Sequence, residues 1–380
     1  MSVFWQLPEP ANFVRNVVED LRAGYNVVLA IPDHAPPGWA AALRTATSAS
    51  GLPRLQGIQP DGSPPISDLH KALSLGACSA RATVSDLCDE PGFRGRLLHV
   101  QQFTPDAWPA WSNFLLQYED TCRHLELAER TLFIVTLSGD LAISAPAPAN
   151  LLRVHRWLAR MDGLNAQLHA ANLLAGRTQS IWQRQLTVAL LGELALWDPE
   201  VITIGTSLRL AEILAPTPWL EQIAAARGWS VTDNLKSPTA EWRGIRQPFE
   251  GRHRTHSAWL AAASRKEALA QRVWNGQVSA LFPLLERHRR SLLHCYRGLL
   301  RVPWPTQFGK ISSMADLELS HIADQLKIQG SGGLRDVYDF VSWLRDIRND
   351  LAHLSCVAPQ RLLEPRFQSR MDQFLTNDND

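Results

Sequence analysis

Apolar residues recur at Val337, Phe340, Val341, Leu344, Ile347 and Leu351, the three-and-four spacing of an α-helix that buries one stripe. Earlier segments carry other patterns. Residues 25–32 (Tyr-Asn-Val-Val-Leu-Ala-Ile-Pro) and 130–139 (Arg-Thr-Leu-Phe-Ile-Val-Thr-Leu-Ser-Gly) are continuously apolar and β-branched, as strands buried on both faces of a parallel sheet are. A third strand is predicted within 94–103. Helices are predicted at 12–23, 39–43, 66–75 and 106–129, with a loop of Gly, Pro, Ser and Asp across 51–65. From residue 151 the pattern turns helical, with segments at 151–161, 163–175, 180–197, 199–204 and 211–227. Residues 229–256 are irregular. Helices at 259–274, 277–300 and 316–327, a glycine-rich turn at 330–333 and the striped helix follow.

This order predicts an α/β N-terminal domain (1–144), a helical region (150–228), a connector (229–256), a C-terminal four-helix bundle (257–365) and a polar tail (366–380). A chain of 380 residues is long enough for each to bury a core. The formal net charge of +1 gives no global signal for nucleic acid. Charge is locally uneven, with Arg246, Arg252, Arg254, Arg265, Arg287 and Arg289 among a dense basic run over 243–301. Such a run is ordinarily a solvated face, and it also suits steering of a polyanion. Five scattered cysteines without a C-x-x-C pair predict a reduced, cytoplasmic protein without structural zinc. The start Met-Ser-Val-Phe-Trp-Gln-Leu-Pro lacks the features of a signal peptide, and no apolar run reaches membrane-spanning length.

Strand 25–32, the loop Asp33-His-Ala-Pro-Pro-Gly38 and the helix at Trp39 follow one another as strand, loop and helix do in a P-loop. This part resembles the opening of an AAA/STAND-type P-loop ATPase domain, in degenerate form. Aligning Gly38 with the second motif glycine puts Asp33 at the first glycine, Trp39 at the lysine and Ala40 at the Ser/Thr. No ammonium remains for the phosphates and no hydroxyl for magnesium, and a carboxylate at Asp33 repels phosphate. Strand 130–139 ends in Thr136, Leu137 and Ser138, with Asp140 late, where the resemblance implies a second acidic element. The expectation is a vestigial P-loop shape with no bound cofactor.

The striped helix carries Arg348, Asn349, Asp350 and His353. Arginine is a permanent cation that forks onto phosphate, and histidine exchanges a proton near neutral pH. The spelling Arg348-Asn-Asp-Leu-Ala-His353, late in the last long helix of a helical domain, resembles the R-x4-6-H motif of HEPN domains, many of which are dimeric, metal-independent ribonucleases. The resemblance covers about the last third of the chain, including 277–300 and Asp316-Leu-Glu-Leu-Ser-His-Ile-Ala-Asp324. Arg289-Arg-Ser-Leu-Leu-His294 fits the same spacing but lacks the Arg-Asn and Ala-His wording. Five residues turn a helix by roughly 140°, so Arg348 and His353 do not stack on one face and a complete site calls for a second copy.

The resemblance implies RNA (transfer or messenger) as substrate, cleaved through 2′-hydroxyl attack. It gives His353 the role of acid or base and Arg348 that of phosphoryl stabiliser, and Asn349, four positions before His353, is placed either to orient the imidazole or to donate to the phosphate. It also implies a homodimer through the C-terminal bundle, with partner subunits of a bacterial defence or toxin system. Two alternatives stay open: a non-catalytic dimerising scaffold or regulatory subunit, and an ATPase with an unconventional site.

Overall fold

The computed structural model describes residues 3–79, 81–307, 309–329 and 332–376. The chain divides into an α/β unit, residues 1–165 with 232–256, and a helical unit, residues 166–231 with 257–380. Both units are therefore built from two separated stretches.

In the first stretch α1 (Pro8–Arg22) leads into β1 (Asn26–Ile31), followed by α2 (Trp39–Ala49), β2 (Leu55–Ile58), α3 (Pro65–Leu73), α4 (Val84–Asp89), β3 (Leu97–Val100), α5 (Trp108–Cys122), β4 (Leu132–Ser138) and β5 (Leu152–Arg156). The five strands form one all-parallel sheet in the order β2-β3-β4-β1-β5. Every residue of β1 is buried, as continuous apolar character requires of a central strand covered on both faces. At the foot of β1, the buried Asn26 side chain accepts a hydrogen bond from the Phe133 N–H at 2.9 Å, tying β1 to β4. Trp111, Phe114 and Tyr118 lie on one stripe of α5; Phe114 and Tyr118 pack edge-on against Phe133, Tyr118 also against Phe93, and Trp111 against Phe114. The Tyr118 hydroxyl donates to the Thr131 carbonyl at 2.6 Å, which satisfies the polar end of that ring.

The helix predicted at 151–161 is a correction: residues 152–156 form β5, paired parallel with β1. Leu151, Leu152, Val154, Trp157, Leu158 and Met161 fit a helical stripe as well as a half-covered edge strand, and pairing with β1 decides between them.

The chain continues through α6 (Gly163–Leu173), α7 (Ile181–Ala195), α8 (Pro199–Ser207), α9 (Leu210–Leu214) and α10 (Thr217–Ala226). It then returns to the α/β unit. The expected connector there is α11 (Pro238–Trp242) and a hairpin, β6 (Arg246–Phe249) with β7 (Arg252–Thr255). Trp242 joins the core of that unit, which is why the segment belongs to it.

The helical unit closes with α12 (Ser257–Ala262), α13 (Lys266–Cys295), the hairpin β8 (Trp304–Thr306) and β9 (Gly309–Ile311), α14 (Leu319–Gln329), α15 (Arg335–Ala352), α16 (Pro359–Leu362) and α17 (Pro365–Thr376). Two expectations are corrected. The break expected at Asn275 and Gly276 is absent, because α13 runs through both. A Cβ on Gly276 would sit 2.9 Å from the Leu190 Cα, so this glycine permits α13 to press against α7. The polar tail begins as α17, with Phe367 and Met371 buried and Phe367 against Phe340 and Trp343. Parts of the expected turn (330 and 331) and of the tail (377–380) lie outside the described residues. No described helix is long and apolar enough to cross a membrane.

Candidate functional site

The end of α15 is built as a Schellman stop. The Ser355 N–H donates to the Asp350 carbonyl at 2.9 Å and the Leu354 N–H to the Leu351 carbonyl at 3.2 Å, with Leu354 left-handed at φ 59°. Glycine is the usual residue at that position. Leucine there is strained, and its side chain is 70% exposed. The stop is fastened to α13 by three side chains. Trp274 Nε1 donates to the Leu351 carbonyl at 2.9 Å. The fully buried Gln277 donates to the Val357 carbonyl at 2.9 Å and accepts from the Val357 N–H at 2.8 Å. The Cys356 thiol, its pKa raised by burial, donates to the Ala270 carbonyl at 3.2 Å.

This frame holds His353 at the C-cap of α15 with its N–H on the Asn349 carbonyl at 3.0 Å. The His353 side chain is exposed and its ring has no hydrogen bond or ion pair among the described residues. The Asn349 side chain, half-buried, likewise makes no bond to the imidazole. Among the described residues, these two are linked through the backbone only. This arrangement leaves the amide available to a phosphate oxygen.

Arg348 points to a different neighbour. Its Nη2 lies 3.6 Å from the Glu318 carboxylate at the start of α14, with both side chains about half exposed. Neither acidic neighbour on its own helix holds it: Asp346 pairs with Arg345 at 2.9 Å and Asp350 with Arg361 at 2.5 Å. Glu318 is the N-cap residue of α14, and its N–H donates to His321 Nδ1 at 3.0 Å. His321 therefore reaches back as the third helical residue of a capping box does, which fixes Nδ1 as acceptor and Nε2 as the protonated nitrogen. Sequence reasoning singled out the segment 316–324 but not Glu318 or His321. A polar residue followed three positions later by a side chain able to accept a backbone N–H was the available signal.

The rival pair is structural. Arg289 forks onto Glu286 with both contacts at 2.8 Å and also donates to the Ala315 and Leu317 carbonyls at 2.8 and 2.9 Å. Its hydrogen bonds hold the Glu286 carboxyl down at about 2, with Arg290 adding to the effect. Every guanidinium nitrogen of Arg289 is engaged, Nε and Nη2 by Glu286 on its own helix and Nη1 by the turn before α14, and of this pair only His294 is exposed.

In the α/β unit, the loop after β1 turns into α2 at Gly38, left-handed at φ 83°. The Asp33 N–H, at the head of this loop, donates to the Trp242 carbonyl at 2.8 Å. The Asp33 carboxyl packs so closely on Gly139 that a Cβ there would overlap it. Burial raises its pKa, with Asp140 adding to the rise and His34 and Arg243 opposing it. The loop presents a carboxyl and a used N–H where a phosphate cradle presents free N–H groups.

His253 on β7 faces Glu241 at 3.0 Å, whereas His256, which follows that strand, is fully buried. Among the described residues no group of three His, Cys, Asp or Glu side chains is arranged to hold a metal. Comparison with protein-family models and with curated proteins gives no match to this chain.

Proposed function

We propose that the chain is a metal-independent endoribonuclease of HEPN type, acting as a dimer through its helical unit on transfer or messenger RNA. The observation that carries this reading is the state of the motif pair. Among the described residues the exposed His353 ring has no partner, at a helix end fastened by hydrogen bonds, and Arg348 is held only by a long, solvent-exposed ion pair. The competing Arg289 is fully committed to structure.

In this reaction His353 takes the proton of an RNA 2′-hydroxyl, and the resulting oxygen attacks the adjacent phosphorus. The 5′-oxygen leaves with a proton from the His353 of a second copy, giving a 2′,3′-cyclic phosphate and a 5′-hydroxyl. Arg348 exchanges Glu318 for the phosphoryl oxygens, where an arginine forms two parallel charge-assisted bonds. The five-residue offset sets Arg348 and His353 on different sides of the helix end, which supports a site completed across a two-fold axis. The loop after β1, without ammonium or hydroxyl, supports a degenerate P-loop-like unit kept for shape and contacts within a defence or toxin system.

A specific observation favours the alternative of a non-catalytic scaffold: Arg348 already has a carboxylate partner in Glu318. Incubation of the protein with total RNA in EDTA, with the new ends identified chemically, separates the two. Cyclic phosphates and 5′-hydroxyls are expected of the nuclease. Intact RNA, or ends with 3′-hydroxyls and 5′-phosphates, overturns it.

A further inference from the structure

The edge of the parallel sheet gathers positive charge far in sequence from α15. Arg44 lies on α2, Arg54 just precedes β2 and Arg96 just precedes β3. Together with Gln56, Gly57 and Gly95 they line a cavity of about 600 Å³, and no carboxylate is among its lining residues. That volume falls in the range of small-ligand sites, about 300–1,000 Å³.

The three guanidiniums are differently prepared. Arg96 is set in place: its Nε donates to the Gly92 carbonyl and its Nη1 to Gln56 Oε1 at 3.3 Å. Gln56 is itself oriented by its bond to the Ala72 carbonyl at 3.3 Å. This leaves Nη2 of Arg96 without a partner among the described residues. Arg44 and Arg54 are exposed, and neither has an ion pair among the described residues. A Cβ on Gly57 would meet open space, so the backbone of the edge strand β2 is bare on the cavity side. Edge strands leave half of their N–H groups unpaired.

Arginine does not lose its proton in proteins, so the cavity carries three positive charges at any working pH. The carbonyl end of α2, five residues before Arg54, offsets only about half of one charge. Many arginines of this chain, Arg94, Arg123 and Arg366 among them, have a carboxylate within 4.0 Å. These three do not.

We propose that this cavity binds a phosphate-rich anion of nucleotide size, its phosphates belonging either to a free nucleotide or to a nucleic-acid backbone. It lies apart from the loop after β1 and stands independently of the ribonuclease reading. Planar forks at Arg44, Arg54 and Arg96 match phosphoryl oxygens, and the bare strand edge adds N–H donors.

The test titrates the full chain with inorganic triphosphate, with ATP and with a short single-stranded RNA. Each is compared between the intact chain and the Arg44→Ala/Arg54→Ala double variant, whose changes are at exposed positions. The RNA arm is run with Arg348→Ala in both proteins, so that failure of the α15 site does not enter. Binding of at least one probe, weakened about tenfold or more by the double variant, is expected. For RNA the salt slope falls by about 0.7 per arginine removed. Triphosphate and ATP binding as tight as RNA assigns the cavity to free nucleotides, and tighter RNA binding assigns it to a nucleic-acid backbone. A smaller loss in the double variant, or no binding of any probe by the intact chain, overturns the proposal. Arg96→Gln, which keeps a donor but removes the charge, gives an intermediate loss if Arg96 contributes, with melting temperature checked in parallel.

Discussion

The Arg348 guanidinium stands 3.6 Å from the Glu318 carboxylate, across the contact between α15 and α14. It is an arginine of the motif held by a residue outside the motif, in a pair open enough to exchange. An exposed ion pair of this kind contributes about 0–1 kcal/mol, less than a forked arginine–phosphate contact in a desolvated site.

Glu318→Gln therefore leaves the melting temperature almost unchanged while releasing Arg348. Tighter RNA binding, by a few fold and most visible at low salt, is the expected outcome of a filter-binding titration. Weaker binding would mean that Glu318 serves the ligand rather than restraining the arginine.

Leu354 ends α15 in a left-handed conformation that costs a non-glycine residue about 1–2 kcal/mol. Its side chain is mostly exposed, so little packing is lost on removing it. Leu354→Gly is expected to stabilise the helical unit by about 1 kcal/mol, read from the urea midpoint. Destabilisation would show that the leucine is covered in solution, as by a second copy.

Gln277 satisfies both the N–H and the carbonyl of buried Val357. Gln277→Leu leaves two buried backbone groups unpaired, a loss of about 3 kcal/mol. Because these bonds fasten the turn after His353, RNA cleavage should fall by more than the unfolded fraction accounts for. Loss of stability with full activity per folded molecule would separate the turn from the site.

Two buried groups of the α/β unit oppose one another in their pH dependence. Burial, with Arg44 adding to it, lowers the His99 pKa to about 4. The folded form then binds fewer protons than the unfolded one, so stability falls as pH drops from about 6.5 to about 4, by about 3 kcal/mol in all. Burial and Asp61 raise the Asp68 pKa to about 6. Its folded form binds more protons, so it gains stability over nearly the same acidification. The intact chain should show a muted slope between pH 7 and 4. Asp68→Asn should become steeply acid-sensitive and His99→Gln should lose that sensitivity, both read from unfolding midpoints across the range. Parallel slopes in the two variants would contradict the assignment.

The fold was readable where one pattern admits one solution. The runs at 25–32 and 130–139 contain β1 and β4, and the stripe from Phe340 to Leu351 is the buried side of α15. It was unreadable where two solutions share a pattern. Residues 152–156 have helical spacing, and only pairing with β1 makes them a strand. Gly276 reads as a break until α7 is known to lie against it. Phe367 and Met371 are too few for a periodic signal, yet both are buried, and Phe367 seats α17 on Phe340 and Trp343. At the candidate site the motif residues were legible as letters, whereas the Arg348 partner lies thirty positions earlier on another helix. Nothing in the spacing of Arg348 and His353 points to Glu318.

The most direct measurement is cleavage of total RNA in EDTA by the intact chain, by Arg348→Ala and by His353→Ala, with each protein confirmed as folded. The account predicts cyclic-phosphate ends from the intact chain and a loss of roughly a hundredfold or more in each variant, the scale of a lost acid–base or oxyanion group. Cleavage that persists in both variants, or RNA left intact by the unaltered protein, would contradict it.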